Sequence, residues 1–213
     1  FDRIYAEVDL GRIEENMKAM KEHLRLGTKM YGVVKTDAYG HGAVPVARTI
    51  DRFVCGYAVA TVDEGLKLRR HGIEKEILCL GPVSAGRYQE CLENDISLPM
   101  FEYRRAKELS DAAVAEGKTA KIHIAVDTGM SRIGLFPDEG SVETVKEIAE
   151  LPALRIAGMF THFARADEAD KTKAGEQYRR FHAFCDAVKA AGVEVPVCHC
   201  SNSAGIVEMQ EMN

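Results

Sequence analysis

A chain of 213 residues with a net charge of -5, 46% hydrophobic and 29% charged, has the composition of a globular protein with one sizeable core. Neither that charge nor any local basic stripe suits a nucleic-acid partner. Apolar runs such as "HIAV" and "EILCLG" fall far short of the ~20 residues that span a bilayer, and no signal-peptide pattern opens the chain. The first residue is Phe1 rather than Met, so a longer gene product, including one with an upstream membrane anchor, is compatible with the sequence. The expected compartment is the cytoplasm. The six cysteines are read as free, buried thiols in a reducing environment, since a chain of this size needs no staples. "CHC" at 198–200 lacks the second ligand pair of a zinc site.

In chain order, "RIEENMKAMKEHL" places Ile13, Met17, Met20 and Leu24 on one helical face. "MYGVVK" then reads as a strand, "GAVPVARTI" as a helix, "GYAVAT" as a strand and "VDEGLKLRRHG" as a helix stopped by Gly72. "EILCLG" is a strand, "AGRYQECLEN" a short helix, "ISLPMF" a strand and "RRAKELSDAAVAEG" a helix. "AKIHIAVD" is a strand and "SVETVKEIAE" a helix with Val142, Val145 and Ile148 on one face. "RIAGMFTHF" is a strand. A long helix follows with Tyr178, Phe181, Cys185 and Val188 as its apolar stripe, then the strand "VPVCHC" and the helix start "SAGIVEMQ".

Strand–helix alternation throughout predicts parallel strands joined by right-handed crossovers. Two α/β architectures fit, a doubly wound open sheet and a (β/α)8 TIM-type barrel. No Gly-x-Gly-x-x-Gly opens a helix after the first strand, which disfavours the dinucleotide-binding sheet. Seven strands, each followed by a helix or its start, suit an eight-stranded barrel that stops before its eighth βα unit.

Such barrels carry their chemistry where strands end. The first strand ends at Lys35, with Tyr39 and His41 in the loop. The fifth gives Asp127, Thr128, Met130 and Arg132. The sixth gives Thr161, His162 and Arg165, and the seventh His199, Ser201, Asn202 and Ser203. Singly, each has a structural explanation: a lysine as a solvated cap, a histidine bonded within the core, an arginine as an ion-pair partner, "DTGMSRIG" as a tight turn with Gly129 at positive φ. Their shared location on one rim is what points to a site. A lysine that an apolar strand drives out of water favours its neutral amine, and a neutral amine condenses with an aldehyde. Small residues at the helix starts "HGAVPVAR" and "NSAGIVE" suit a phosphate held by backbone N–H groups. Together these suggest pyridoxal 5'-phosphate held as a Schiff base.

"VVKTDAYGHGA", "DTGMSRIG", "THFARADE" and "HCSNSAG" together resemble the alanine racemases, over essentially the whole chain. The resemblance implies that 1–213 is an N-terminal pyridoxal-phosphate barrel, with the family's C-terminal β-domain not in this chain. It implies that Lys35 carries the cofactor and acts as the base on one face of the substrate Cα. Tyr39 and Ser203 would bind phosphate, and Arg132 the cofactor's phenolic oxygen. The backbone at Met130 would lie near the substrate carboxylate, His162 would orient the ring, and Asn202 and His199 would support the pocket. It further implies a homodimer whose second base, a tyrosine, comes from the partner's β-domain. Alanine is the implied substrate, with serine also considered, and D-alanine for cell-wall peptidoglycan the implied product. Many members of the family have a lysine where Ala125 stands, which can be carbamylated and helps orient the arginine matching Arg132, so Arg132 is expected to need another anionic partner. Two other readings compete: a pyridoxal-phosphate carrier without turnover, and a decarboxylase on the same barrel type.

Overall fold

The computed structural model describes residues 3–212. Seven strands form one sheet in chain order, each parallel to the next: β1 (Tyr31–Val33), β2 (Gly56–Val59), β3 (Glu76–Cys79), β4 (Ile96–Met100), β5 (Ala120–Ala125), β6 (Leu154–Phe160) and β7 (Cys198–His199). The connecting segments form α2 (Lys35–Tyr39), α3 (Ala43–Ile50), α4 (Val62–Arg70), α5 (Tyr88–Glu93), α6 (Tyr103–Ala115), α7 (Glu139–Ala149), α8 (Thr172–Ala190) and α9 (Ser203–Glu208). The sheet curls on itself. The Tyr31 ring on β1 lies 5.3 Å from the His199 ring on β7, although these two strands sit at opposite ends of the strand order. This is the curled, seven-stranded part of a TIM-type barrel, as the alternation of elements predicts.

Strands buried on both faces need apolar residues at successive positions, not alternate ones. Ile77, Leu78 and Cys79 are accordingly all inaccessible, as are Ile122 and Ile124. The helices cover the outer face. On α8 the buried stripe is Gln177, Phe181, Phe184 and Val188, whereas Tyr178 and Cys185 are only half-buried. The spacing therefore located the helix correctly, but its apolar face lies slightly rotated from the expected one. The amphipathic α1 (Leu10–His23) packs against both α3 and α9, the helices that follow the first and last strands. It bridges the two ends of the helical ring, with His23 Nε2 3.0 Å from the Val207 carbonyl. Among the described residues no helix is long and apolar enough to cross a membrane. All six cysteines are free, but only Cys79 and Cys91 are buried, which corrects the expectation of six buried thiols; Cys55 and Cys198 are exposed.

Candidate active site at the barrel rim

Lys35 follows β1 after Val34 and opens a turn of unusual hand. Thr36, Asp37 and Ala38 have φ/ψ near 51/47, 54/47 and 53/49, and Tyr39 has φ 54, so four consecutive non-glycine residues are left-handed. Each such residue costs roughly 1–2 kcal/mol, and the surrounding groups over-determine the turn. Glu64 at the start of α4 accepts from Thr36 N at 2.8 Å and from Ala60 N at 2.7 Å. Asp37 Oδ1 accepts from Ala43 N at 2.9 Å and from Lys67 Nζ at 2.8 Å. These bonds, first that from Ala43, hold the Asp37 carboxyl below its ordinary range. The turn brings the Lys35 ammonium 5.9 Å from the centroid of the Tyr39 ring. Sequence reading anticipates a glycine-flanked turn here but contains no signal for its hand.

The fifth strand ends in a loop organised by Asp127. Its buried carboxylate accepts from Gly129 N at 2.9 Å and Ser131 N at 3.0 Å. Thr128 Oγ1 lies 2.8 Å from Thr161 Oγ1, which joins the ends of β5 and β6. Buried Gln177 of α8 completes the joint, donating to Thr128 Oγ1 and to the His162 carbonyl at 3.2 Å each, and accepting from Ala164 N at 2.9 Å. Gln177 sits within the stripe of a helix, where a glutamine gives no sequence signal for a role at a distant loop.

His162 is half-buried. Burial, then the positive charges of Arg132 and Lys35, hold its imidazole below the usual histidine range. Arg132 and Lys35, from the fifth and first strand ends, are thus both within electrostatic reach of His162 at the sixth. Lys35 is half-buried rather than fully withdrawn from water, and Arg132 and Tyr39 are exposed. Ala125 is buried on β5 and contributes no charge, and among the described residues no acid pairs with Arg132. The seventh strand end is organised by Asn202, whose Oδ1 caps α9 by accepting from Gly205 N at 2.9 Å; Ser203 is exposed in the first turn. Met130 is half-buried within the Asp127 loop.

Beneath the rim a polar chain crosses the barrel interior. Glu76 accepts from Tyr31 Oη at 2.7 Å and from Ser97 Oγ at 2.9 Å, and lies 3.2 Å from His123 Nε2. His123 Nδ1 is 3.0 Å from His199 Nε2. The bond with His123, foremost, holds Glu76 ionised with a pKa near 2. A carboxylate only accepts, so His123 Nε2 carries a proton. His199 stacks on Phe160 with ring centroids 5.3 Å apart. Burial, then the positive charge His123 can carry, pushes its pKa down to about 3. Of this chain, sequence reading singled out only His199. Tyr31, Glu76, Ser97 and His123 come from four different strands, and nothing local marks them as partners.

The chain makes the protein acid-labile with a defined sign. His162 and His199 are depressed, so the unfolded state takes up protons below pH 6.5 that the folded state refuses, and stability falls as pH drops. Glu76 is depressed as well, so its contribution is present above its unfolded value of 4.5 and is lost as pH falls toward 2. The thermal midpoint, followed by circular dichroism, is expected to decline steadily from pH 6.5 downward, and less steeply in His199→Gln. An unchanged midpoint between pH 7 and pH 4.5 would contradict this account.

The fold and the rim together define a parallel βα-barrel domain of the kind that carries its chemistry on the loops after its strands. Residues 8–213 match the model of the alanine racemase N-terminal domain, and the chain belongs to the alanine racemase family. It is 44% identical over 209 residues to an alanine racemase of Clostridium novyi, covering 98% of this chain and 54% of that protein. It is 40% identical over 209 residues to one from Methanococcus maripaludis, covering 98% and 56%. Among solved structures it superposes on alanine racemase from Clostridium difficile 630 with a TM-score of 0.93 at 36% identity, covering 95% of this chain and 53% of that one. The Bacillus anthracis alanine racemase with bound L-Ala-P gives a TM-score of 0.86 at 36% identity, covering 98% and 55%. The chain spans about half the length of the relatives it matches.

Proposed function

We propose that residues 1–213 form the cofactor-carrying barrel domain of a cytoplasmic, pyridoxal-phosphate-dependent alanine racemase that works as a homodimer and supplies D-alanine for the cell wall. What supports this reading is the family match together with the electrostatic reach of Lys35 and Arg132 to His162 at the carboxyl rim of the barrel. The donor set suits the cofactor: an amine for its aldehyde, the hydroxyls of Tyr39 and Ser203 for its phosphate, and a guanidinium for its phenolic oxygen. When bound, pyridoxal phosphate supplies an electron-withdrawing ring that spreads the charge left when an amino acid loses its Cα proton.

This chain's own residues then bind, orient and move that proton. Lys35 Nζ holds the cofactor and acts as the base on one face of Cα. Arg132 fixes the ring's orientation from the Asp127 loop, and the backbone at Met130 faces the substrate carboxylate. His162, whose imidazole is held below the usual range, lies within electrostatic reach of Lys35 and does not add a third positive charge to the rim. Asn202 shapes the loop that presents Ser203, and His199 braces the pocket floor through His123 and Glu76. Racemisation needs a base on each face, and the second is a tyrosine that the β-domain of the partner subunit contributes.

The test is made on the full gene product containing this chain. Incubation with L-alanine is expected to yield D-alanine, with solvent deuterium appearing at Cα. Serine is the second substrate to assay. Cofactor binding with no D-alanine and no deuterium exchange would favour the carrier reading instead.

A further inference from the structure

The residues on either side of Lys35 are fastened to one place, the carboxyl end of β2. Before it, Val34 N donates to the Ala58 carbonyl at 2.9 Å. After it, Thr36 N donates to Glu64 Oε1 at 2.8 Å, and Glu64 Oε2 accepts at 2.7 Å from N of Ala60, the first residue beyond β2. One carboxylate thus ties the residue following Lys35 to the strand end that already holds the residue preceding it. The tie falls where the backbone is under strain: Thr36 has φ 51, a conformation rare for a β-branched residue. A second tie comes from Lys67, three residues further along α4, which reaches Asp37 at 2.8 Å. Both of its partners are exposed, and such pairs contribute little. Asp37 also keeps its bond from Ala43 N without it.

We propose that Glu64 is a positioning residue for the Lys35 amine: its carboxylate, bridging Thr36 N and Ala60 N, holds the left-handed turn so that Lys35 is aimed at the cofactor's aldehyde. This rests on the reading of Lys35 as the cofactor amine. The lysine stem is flexible and has no direction of its own, so the path to Nζ starts from how the backbone aims the Lys35 Cα–Cβ bond. Glu64 acts through that backbone. A carboxylate suits the task because it only accepts and serves two N–H groups at once, whereas the single oxygen of a glutamine serves one. Without the bridge the left-handed residues relax toward ordinary φ, and the root of the lysine stem swings with them. A misplacement of about 1 Å at a reacting group can cost ~10²-fold.

The full gene product containing this chain is freed of cofactor, mixed with pyridoxal phosphate and quenched with borohydride at intervals. Peptide mapping reads the rate at which label appears on Lys35. Glu64→Ala is expected to slow that rate about 10- to 100-fold. Glu64→Gln, which restores one acceptor, should fall between it and the parent, and Lys67→Met should stay within about threefold of the parent. Acetic anhydride needs an accessible amine but no set direction, so its labelling of Lys35 in the cofactor-free protein should change less than about twofold in Glu64→Ala. Parent-like attachment in Glu64→Ala, or slowing as large in Lys67→Met, would overturn the role of Glu64 alone. So would a fall in acetic anhydride labelling equal to the fall in attachment. A parent protein with no label on Lys35 would overturn the reading of Lys35 itself and this inference with it. Should Glu64→Ala fail to fold, Glu64→Gln decides, and attachment at the parent rate there sinks the proposal.

Discussion

Lys35→Ala is expected to abolish borohydride-reducible attachment of pyridoxal phosphate. With it should go at least the ~10²–10⁴-fold that a positioned base contributes to proton transfer. The expectation rests on position. Lys35 is the lysine that follows a barrel strand at the rim, beside Tyr39 and within electrostatic reach of His162. The other strand lysine, Lys121, lies near the start of β5 and is paired with Asp95 at 2.5 Å. Its replacement should leave the attachment intact. Lys35→Arg separates charge from chemistry: it keeps the positive charge beside His162 but offers no amine for the aldehyde, so it should also carry no label. Peptide mapping after reduction reads the outcome, and a label on any other lysine would refute the assignment.

Gly134→Ala is expected to destabilise the protein by about 3 kcal/mol or more and to loosen the loop that presents Arg132. Gly134 has φ +127, and a Cβ there would sit 2.5 Å from Asp127 N and 2.7 Å from the Val126 carbonyl carbon. Both are backbone atoms, so no rotamer change relieves the contact. The next residue, Leu135, donates to the Ala125 carbonyl at 2.9 Å and accepts from Asp127 N at 2.8 Å, forming an isolated bridge across Val126. A wedge at position 134 pries that bridge open and releases Asp127, whose carboxylate organises Gly129 and Ser131. Chemical denaturation is expected to show a lower midpoint with a similar slope, together with weaker cofactor retention. A stability within ~0.5 kcal/mol of the parent would show that the backbone there yields more easily than the packing implies.

How far the site could be read in advance follows the range of the interactions. Lys35 and His162 could be singled out as candidates because each closely follows an apolar run, where hydrophobic periodicity stops, and Arg132 because it lies in the loop after the next such run. Gln177 was not, because its partners are Thr128, on the loop of another βα unit, and His162 and Ala164, which are 15 and 13 residues before it in its own. Glu76 and His123 were not, because each is a polar residue within an otherwise apolar stretch of strand, and a strand pattern does not say which polar residues will face one another across a curled sheet. The rotated apolar face of α8 has a similar origin: Phe181 and Val188 belong to any reading of that stripe, while sheet contact chose Phe184 over Cys185 as the neighbour to bury.

The order and kind of the elements and the parallel barrel were legible in the sequence, which also pointed to the strand ends as the place of the candidate site. Those follow from hydrophobic period and from glycine and proline punctuation, which act over a few residues along the chain. Only the tertiary structure reveals the left-handed turn after Lys35 and the Glu76–His123–His199 chain. The turn is strained in isolation and persists because Glu64 and Lys67, some thirty residues away, bond to it. The chain joins groups from separate strands, whose meeting depends on how the sheet closes rather than on any local preference.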